Sequence, residues 1–578
     1  MLIVLAAVLM VVLRCIRLDS DAYAHLSWSS ALLTDEGFYI HNARNVVLFG
    51  TPRTDGFNNM LIMPTLHYVQ VWVFRTFGTG AVQARSISVA CGLLETAALA
   101  VCMSRLFGRR VGMYSALFIG LSHTSLLYSR MALMDTPAAL FLTLVFCLWC
   151  EAAVRCSAGK SPAVASAAAG LITAICYVTR GLTVWSALIP WLLLPLCLQA
   201  LPARKKQWWS AALWQLGGLG AGLAVYLVLW YLPNRHEIAA MNHYYLAHQL
   251  MPHSLLALKG NLSHAVVGDY RGLFPYLFRH SPVTFVLTIA ATGALLVARK
   301  RGSAGIAEAV SPANPDEGAV ARNLSLSFLG WWLLLPSLAY SIISYAPDRY
   351  YVLFYPAMAA LAAVAVERID RIADTIRGTL AQTAVAGLVT YHLAEALLHH
   401  RADWLLATSV VVAVGIFWPV QSLAKVQHGL RFITAPALLI ALWVATEVAW
   451  TSDWLMHPAY TQRDACTKLQ KLLPADAVLV GDIGPGLSLD SKFRAVSVIP
   501  GLCNDEFPLG IAAGHPAYIA ILDGRFLEPF WREYCPKQIV QQHRVAFFPA
   551  MLGKYPVGIY RVSIDPLADA NIPAADRQ

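Results

Sequence analysis

Charged residues are scarce in this chain. Only 13% of its 578 residues are Asp, Glu, Lys or Arg, whereas 58% are hydrophobic. Its single CxxC pair, Cys147 and Cys150, lies inside an apolar run, and no His or Cys spacing in the chain is typical of a metal site. The sequence also lacks the basic and aromatic pattern of a nucleic-acid-binding surface, so the net charge of +10 gives no reason to expect a nucleic-acid partner.

Long apolar runs are what the chain has in abundance. A helix that crosses a bilayer needs roughly 20 largely apolar residues, and inside lipid the backbone must satisfy its own hydrogen bonds. The runs that meet or approach this length lie near residues 1–18, 82–104, 111–128, 132–154, 163–180, 182–200, 208–232, 282–298, 323–345, 350–366, 380–398, 403–420 and 432–451. We therefore predict an all-α polytopic membrane protein with about 13 transmembrane helices.

The connections between these runs differ in charge. Alternate connections hold several Lys or Arg residues each, whereas the opposite ones mostly hold one. The basic connections are 105–110, 155–160, 204–206, 299–301, 368–377 and 425–431. Basic loops are typical of the cytoplasmic side, so loop 19–81, loop 233–281 and the tail after residue 451 are predicted to be extracytoplasmic. Most polar sequence lies on that face, so we expect the protein to act there, with 299–322 as a flexible cytoplasmic linker.

The tail, residues 452–578, is predicted to be a small extracytoplasmic α/β domain that follows a transmembrane domain, residues 1–451. Its helix is predicted at 463–473. Apolar, β-branched runs typical of strands lie at 477–481, 494–499, 516–522 and 557–562. The motif GDIGPG at 481–486 lacks the glycine spacing of a nucleotide loop, so we interpret it as a turn after a strand. At most one disulfide can form among the three cysteines of the tail, Cys466, Cys503 and Cys535.

An acidic pair, Asp35-Glu36, follows the first apolar run at the expected membrane boundary. Tyr39 and Arg44 lie in the same segment, TDEGFYIHNARNVVLFG. Because carboxylates are scarce in this chain, the pair is a candidate for chemistry. The alternative is an exposed helix N-terminus, where acidic side chains interact favourably with the helix dipole.

Further candidates lie at the predicted outer ends of other helices. Arg130 and Asp135 lie in SHTSLLYSRMALMDTP, between two apolar runs, where Asp135 is alternatively a helix-capping residue. Arg180 lies in a tight Thr-Arg-Gly connection and Arg349 precedes Tyr350 in PDRYY. The alternatives are interface anchors and residues of an aromatic belt.

These groups suit transfer from an anionic donor that is attached to a lipid. A phosphate leaving group needs no general acid, but it needs forked cationic donors, which Arg supplies. The attacking hydroxyl needs a carboxylate base within hydrogen-bond reach. His248 in loop 233–281 is a supporting candidate, although a loop histidine is more often a surface residue. A polyprenyl-phosphate-linked sugar and a hydroxyl-bearing acceptor meet these conditions.

Four motifs resemble those of the GT-C glycosyltransferases, in particular the protein O-mannosyltransferases and the lipid A aminoarabinose transferases. They are DEGFYIHNARNVVLFG, SRMALMD, TRG and RYYVLFYPAMAALAA, which occur in the family's order over residues 20–370. The resemblance implies the GT-C fold and an inverting transfer from a polyprenyl-phosphate sugar. It further implies that Asp35 is the catalytic base, that Glu36 completes the acidic pair, and that Asp135 lies near the acceptor or a metal. Glu36 and Asp135 are then expected to orient the acceptor or a divalent ion.

On this interpretation the arginines stabilise the departing phosphate, and aromatic and polar neighbours support them. The predicted phosphate-binding residues are Arg130, Arg180 and Arg349, and the supporting residues are Tyr39, Arg44, His248 and Tyr350. One stretch departs from the family: many of its members carry a basic or His-containing Pro motif, such as Lys-Pro or His-Pro-Pro, where residues 58–64 read NNMLIMP. No cofactor is expected to be required, although Asp35 and Asp135 serve equally well with or without Mg²⁺ or Mn²⁺.

The sequence leaves other questions open. Donor sugar and acceptor, whether protein, lipid or glycan, cannot be read from it. A transporter or flippase for lipid-linked sugars is the alternative function, and such proteins tend to have internal repeats and polar groups near the middle of the bilayer. No repeat is evident, and Glu95 and Glu447 are the candidate acids within apolar runs. We expect a bacterial plasma membrane, with the endoplasmic reticulum as the alternative.

Overall fold

The structure is a computed structural model. It describes residues 2–27, 29, 31–247, 252, 254–267, 272–300, 317–343, 346–369, 372, 431–499, 501–504, 514–522, 531 and 544–562. His248, Cys535 and the predicted spans 380–398 and 403–420 lie outside the described residues. Most of the linker predicted at 299–322 also does.

The described part of the chain is mainly helical, as the apolar runs predict. The helices of this part are α1 (Leu2–Cys15), α2 (Ala31–Phe49), α3 (Pro64–Phe77), α4 (Ala81–Phe107), α5 (Arg109–Gly120), α6 (His123–Tyr128), α7 (Asp135–Ser157), α8 (Ala163–Thr179), α9 (Ile189–Ala200), α10 (Lys205–Tyr226), α11 (Arg235–Tyr245), α12 (Leu255–Val267), α13 (Leu273–His280), α14 (Pro282–Lys300), α15 (Glu317–Ile342), α16 (Tyr355–Glu367) and α17 (Arg431–Met456). Short 3-10 or π segments lie at Asn59–Ile62, Gly181–Leu188, Pro202–Arg204, Leu227–Tyr231 and Asp348–Phe354.

Among these, six helical segments are long and apolar enough to cross a membrane. They are Ala81–Phe107, Asp135–Ser157, Gly181–Ala200, Pro202–Tyr231, Gly318–Ile342 and Asp348–Glu367. Shorter apolar helices are Val4–Cys15, Ala163–Thr179 and Pro282–Leu296. Each of these segments overlaps a predicted run, and the chain is a multi-pass membrane protein.

The prediction of a single span at 111–128 is wrong. Helix α5 ends at Gly120 and α6 begins at His123. Glu447 of α17 accepts a hydrogen bond from the backbone N–H of His123 at 2.7 Å. This bond satisfies a donor at the start of the new helix, which a continuous helix would have bonded internally.

The C-terminal domain is a mixed sheet with helices, as predicted. Helix α18 (Thr461–Leu472) precedes strand β1 (Val478–Val480), the short helix α19 (Gly484–Leu487), β2 (Arg494–Val496), β3 (Ala517–Leu522), β4 (Arg544–Met551) and β5 (Tyr555–Val562). The strand order is β2-β1-β3-β5-β4. Strand β1 pairs in parallel with β2 and β3, and β5 pairs antiparallel with β3 and β4. The GDIGPG motif is the predicted turn after β1, and it continues into α19.

Strand β4 is missing from the sequence prediction. It lies at the edge of the sheet and contains Pro549, and its pairing with β5 is irregular between Phe548 and Met551. Proline is confined to edge strands and bulges because it cannot donate to the sheet. The alternation that identifies a strand is therefore weak in this segment.

Polar contacts attach the C-terminal domain to loop 19–81. The Asp21 carboxylate accepts hydrogen bonds from the N–H and hydroxyl of Thr461, at 2.7 and 2.6 Å, and from the N–H of Gln462 at 3.1 Å. Asp21 thereby caps the N-terminus of α18 from a distant segment. Asp55 accepts a hydrogen bond from the N–H of Ser497 at 3.1 Å. The domain therefore lies directly on α2 and its flanking segments.

Candidate active site

The first acid of the site is Asp35, in the second turn of α2. It is buried, and its Oδ2 lies 2.7 Å from Nη1 of Arg349. Arg349 belongs to the 3-10 segment Asp348–Phe354, which leads directly into α16. The structure thus brings together two of the predicted residues that are more than three hundred positions apart in the chain.

A second ion pair joins Asp135 to Arg180. Asp135 is the first residue of α7, and its Oδ1 lies 2.5 Å from Nη1 of Arg180. Arg180 follows α8 in an extended conformation (φ −154°), which turns its side chain back towards α7. Both residues are buried rather than surface-exposed. Asp135 does begin a helix, as the alternative interpretation expects, but its carboxylate is paired with a guanidinium.

Tyr350 links the two ion pairs. The Cζ atom of Arg180 lies 4.3 Å from the centre of the Tyr350 ring, and that of Arg349 lies 5.3 Å from it. Guanidinium groups within about 6 Å of an aromatic face are attracted to it. The four charged groups and this ring therefore form one cluster, which we call the acid–arginine cluster: Asp35, Asp135, Arg180, Arg349 and Tyr350.

The charges in the cluster act on Asp35. Burial raises the pKa of the Asp35 carboxyl, the Arg349 guanidinium opposes that shift, and the Asp135 carboxylate adds to it. A carboxyl with a raised pKa is a stronger base once it has lost its proton. This is the property expected of a group that must accept a proton from an attacking hydroxyl.

Tyrosines surround the cluster. Tyr39, one helical turn after Asp35, is buried. Tyr340 of α15 has its ring 5.7 Å from that of Tyr350. Tyr245, at the end of α11, is close enough to Tyr350 and Asp35 for their charges to raise its pKa, although burial is the larger cause. The surroundings are thus aromatic with polar hydroxyl groups.

Glu36 does not point into this cluster. Its Oε1 accepts hydrogen bonds from Nε of Arg85 at 2.8 Å and from the N–H of Ala132 at 2.7 Å, and its Oε2 accepts one from Nη2 of Arg85 at 2.6 Å. The carboxylate is 1% exposed. The prediction that Glu36 orients an acceptor is therefore wrong for this geometry, because its oxygens are already bonded to the bundle.

Arg130 is also placed elsewhere. Its guanidinium donates to the backbone carbonyls of Leu13 and Arg14, both at 2.9 Å, and to that of Arg17 at 2.8 Å. It also lies over the ring of Trp454, 4.4 Å from the ring centre. Arg130 therefore caps the C-terminal end of α1, and the prediction that it binds the donor phosphate is wrong.

Arg44 connects α2 to the C-terminal domain. Its Nη2 donates to the carbonyls of Ser491 at 2.8 Å and Phe493 at 2.7 Å. Arg44 is therefore buried between α2 and the C-terminal domain and does not contact the acid–arginine cluster directly. The fourth supporting residue predicted with Tyr39, Arg44 and Tyr350 is His248, which lies outside the described residues.

The site contains residues that the sequence pattern did not single out. Arg85 lies within the apolar run 82–104, where a lone guanidinium signals a buried partner, but nothing in the sequence identifies that partner as Glu36. Tyr245 and Tyr340 lie in segments with many other aromatic residues. Their proximity to Asp35 and Tyr350 arises only from the fold.

The carboxylates of the cluster are paired with guanidinium groups and not with further acidic, His or Cys side chains among the described residues. Within the described ranges, no group of three or more His, Cys, Asp or Glu side chains could hold a metal ion. Asp35 and Asp135 each have a guanidinium within 2.7 Å.

The two acids within apolar runs have protein partners. Glu447 accepts the hydrogen bond from the His123 N–H, and the His123 ring nitrogen Nδ1 lies 3.1 Å from the same oxygen. Glu95 is buried in α4, where the charge of Arg14 acts on it. The Glu447 contacts join α17 to α6, and the charge near Glu95 comes from α1, so the two acids give no particular support to a transport pathway.

Neither a protein-family profile nor a curated protein sequence matches the chain. Solved structures do match. The structure of ArnT from Cupriavidus metallidurans bound to undecaprenyl phosphate is 14% identical, with a TM-score of 0.55 over 97% of this chain and 98% of that one. This chain has the GT-C fold.

The GT-C fold also relates the chain to a second ArnT structure. The apo state of the same Cupriavidus metallidurans protein is 15% identical, with a TM-score of 0.53 over 96% of this chain and 97% of that one. The similarity extends over the transmembrane helices and the C-terminal domain together. It confirms the fold implied by the motif resemblance.

Proposed function

We propose that this protein is an integral-membrane glycosyltransferase that moves a sugar from a polyprenyl phosphate to an acceptor hydroxyl. The observation that carries the proposal is the acid–arginine cluster, a pair of buried carboxylates that are each paired with a guanidinium. The GT-C fold adds support, since the ArnT structure with that fold holds undecaprenyl phosphate. The cluster lies on the face that carries the C-terminal domain, which is the extracytoplasmic face in this proposal.

The donor phosphate is bound by Arg349 and Arg180. In the cluster described above, two Asp and two Arg side chains balance each other in charge. A phosphodiester brings one negative charge and competes with the carboxylates for the forked guanidinium donors. When the phosphate engages Arg349, the Asp35 carboxylate is released from its 2.7 Å ion pair and becomes available as a base.

Asp35 accepts the proton of the acceptor hydroxyl. The hydroxyl oxygen bonds to the anomeric carbon while the bond from that carbon to the phosphate oxygen breaks. The electron pair of the broken bond stays on the polyprenyl phosphate, whose charge Arg180 and Arg349 stabilise, and the proton moves to Asp35. This single displacement inverts the configuration at the anomeric carbon.

The remaining groups bind and orient the reactants. Asp135 holds Arg180 in place through their 2.5 Å contact. The tyrosine rings of Tyr39, Tyr340 and Tyr350 offer apolar faces and hydroxyl groups, which suits a sugar with alternating C–H and O–H groups. The proposed mechanism uses no metal ion. The proposed compartment is the plasma membrane of a bacterium, with the lipid tail in the bilayer between apolar helices.

The proposal is tested by transfer in detergent solution. Purified protein is incubated with a panel of polyprenyl-phosphate sugars and with lipid, glycan and protein acceptors. Mass spectrometry should detect a glycosylated acceptor together with free polyprenyl phosphate. A protein that only translocates lipid-linked sugars forms no new bond under these conditions, so an unchanged donor across the panel, with binding intact, would contradict the proposal.

The same measurement can identify the donor sugar. Mass spectrometry of lipids from a strain that lacks the gene should show one polyprenyl-phosphate sugar in excess. That lipid then serves as the donor in the detergent assay. If it accumulates but is not consumed by the purified protein, the enzymatic assignment is wrong.

A further inference from the structure

A close backbone contact joins the C-terminal domain to the helix that carries Asp35. A methyl group on Gly37 would lie 2.4 Å from the backbone nitrogen of Gly486 and 2.8 Å from its Cα. A methyl group on Gly486 would lie 2.9 Å from the carbonyl oxygen of Leu33. Only glycine permits two backbones to approach so closely, so α2 and α19 touch without intervening side chains.

The contact lies on the side of α2 opposite to Asp35. Residues two apart on a helix point about 200° apart, and residues seven apart point in nearly the same direction. Gly37 and Arg44 therefore share the face towards the C-terminal domain, where Arg44 donates to the carbonyls of Ser491 and Phe493. Asp35 faces away from that domain, towards Arg349.

Three successive residues thus fix α2 from three directions. Asp35 contacts Arg349 in the acid–arginine cluster, Glu36 is bonded to Arg85 in the transmembrane bundle, and Gly37 contacts Gly486. The Glu36 bond sets the helix against the bundle. The glycine contact then sets how far α2 lies from the C-terminal domain, and hence how close Asp35 lies to Arg349.

We propose that Gly484-Pro485-Gly486, the start of α19 in the C-terminal domain, positions Asp35 for catalysis by the contact of Gly486 with Gly37. Gly37 and Gly486 are then positioning residues, which act through α2 and do not touch the substrate. This inference rests on the proposed function. It gives the glycines at the end of the GDIGPG motif a role in holding α2 in position.

The test compares alanine substitutions at three glycines. Gly486→Ala and Gly37→Ala introduce methyl groups into the contact, and Gly220→Ala is the matched control, because a methyl group there meets nothing within 4 Å. Misplacement of a reacting group by about 1 Å can cost about 100-fold in rate. We expect Gly486→Ala to lower kcat about 10-fold and Gly37→Ala to lower it further, while Gly220→Ala keeps the parent's kcat.

A second readout distinguishes positioning from a general loss of structure. The acid limb of the kcat/KM pH profile reports the ionisation of Asp35, whose pKa depends on its distance from Arg349. Gly486→Ala should shift this limb while the KM for the donor and the thermal transition stay near those of the parent. A folded Gly486→Ala protein with the parent's kcat and pH profile would overturn the inference.

If both alanine variants fail to fold, Arg44→Lys decides. It keeps the charge but shortens the reach to the carbonyls of Ser491 and Phe493. A folded Arg44→Lys protein with lowered kcat and a shifted acid limb supports the inference, and parental values contradict it. Asp35→Asn separates this result from the proposed function. A fully active Asp35→Asn protein would show that Asp35 is not the base. An inactive Asp35→Asn protein together with a fully active Gly486→Ala protein would overturn the positioning role alone.

Discussion

The ion pair between Glu36 and Arg85 allows a clear test of the role of Glu36. If Glu36 is structural, its loss lowers stability, whereas if it acts in the chemistry, its loss lowers activity alone. Glu36 is 1% exposed and its carboxylate accepts three hydrogen bonds, two of them from Arg85. Glu36→Gln leaves the buried Arg85 guanidinium without the carboxylate that it is paired with. Removing one partner of a buried ion pair typically costs about 3–5 kcal/mol, so the free energy of unfolding should fall by that amount.

The matched control is Glu151→Gln. Glu151 also pairs with arginines, Arg155 at 2.8 Å and Arg105 at 3.6 Å, but its side chain is 31% exposed and those of its partners are more exposed still. Exposed pairs of this kind contribute less than about 1 kcal/mol. Denaturant titration of both variants in the same detergent, followed by Trp fluorescence, measures the difference directly.

One result would refute the structural role of Glu36. If Glu36→Gln unfolds at the parent's denaturant concentration but no longer transfers sugar, the carboxylate acts in the chemistry and our assignment is wrong. The double variant Glu36→Gln/Arg85→Gln provides a further check. It should recover part of the lost stability, because it also removes the unpaired buried charge.

Three other predictions follow from the same geometry. Arg349→Gln should move the acid limb of the kcat/KM pH profile to higher pH, because Arg349 lowers the pKa of Asp35. Asp135→Asn should move the limb to lower pH, because the Asp135 charge raises that pKa. Shifts in the opposite directions would show that the limb belongs to another group. Arg130→Gln should lower thermal stability, because the guanidinium binds carbonyls of α1. The Kd for the polyprenyl phosphate should change less than about threefold. A lost phosphate contact would instead weaken binding by about 2–4 kcal/mol. Transfer should continue in EDTA at the rate measured without it, and recovery only on adding Mg²⁺ or Mn²⁺ would contradict a metal-independent mechanism.

The sequence predicted those site residues that are identified by their position at a helix end on one face of the membrane. Asp35, Asp135, Arg180 and Arg349 each lie beside an apolar run on the same predicted face, and the structure brings them into one cluster. Chemical type and position at a helix end were enough to select them. The apolar length of the helices likewise predicted a polytopic protein, because a bilayer imposes that length.

The sequence could not predict which polar residues serve the structure. Glu36 and Asp35 are adjacent and of one chemical type, but successive residues on a helix point about 100° apart, so one faces Arg85 and the other Arg349. Arg130 bonds to backbone carbonyls of α1, and such acceptors carry no side-chain signature. Only the packing of distant segments separates these roles.

The central claim is that Asp35 is the base that deprotonates the acceptor, and single-turnover transfer by Asp35→Asn tests it most directly. The donor is bound first and the reaction is started by adding the acceptor. The control is Asp476→Asn, a change at an exposed carboxylate of the C-terminal domain. A positioned general base contributes about 100- to 10,000-fold, so Asp35→Asn should lose a rate in that range while donor binding and thermal stability stay near parental values. Transfer by Asp35→Asn within a few-fold of the parent's rate would contradict the account.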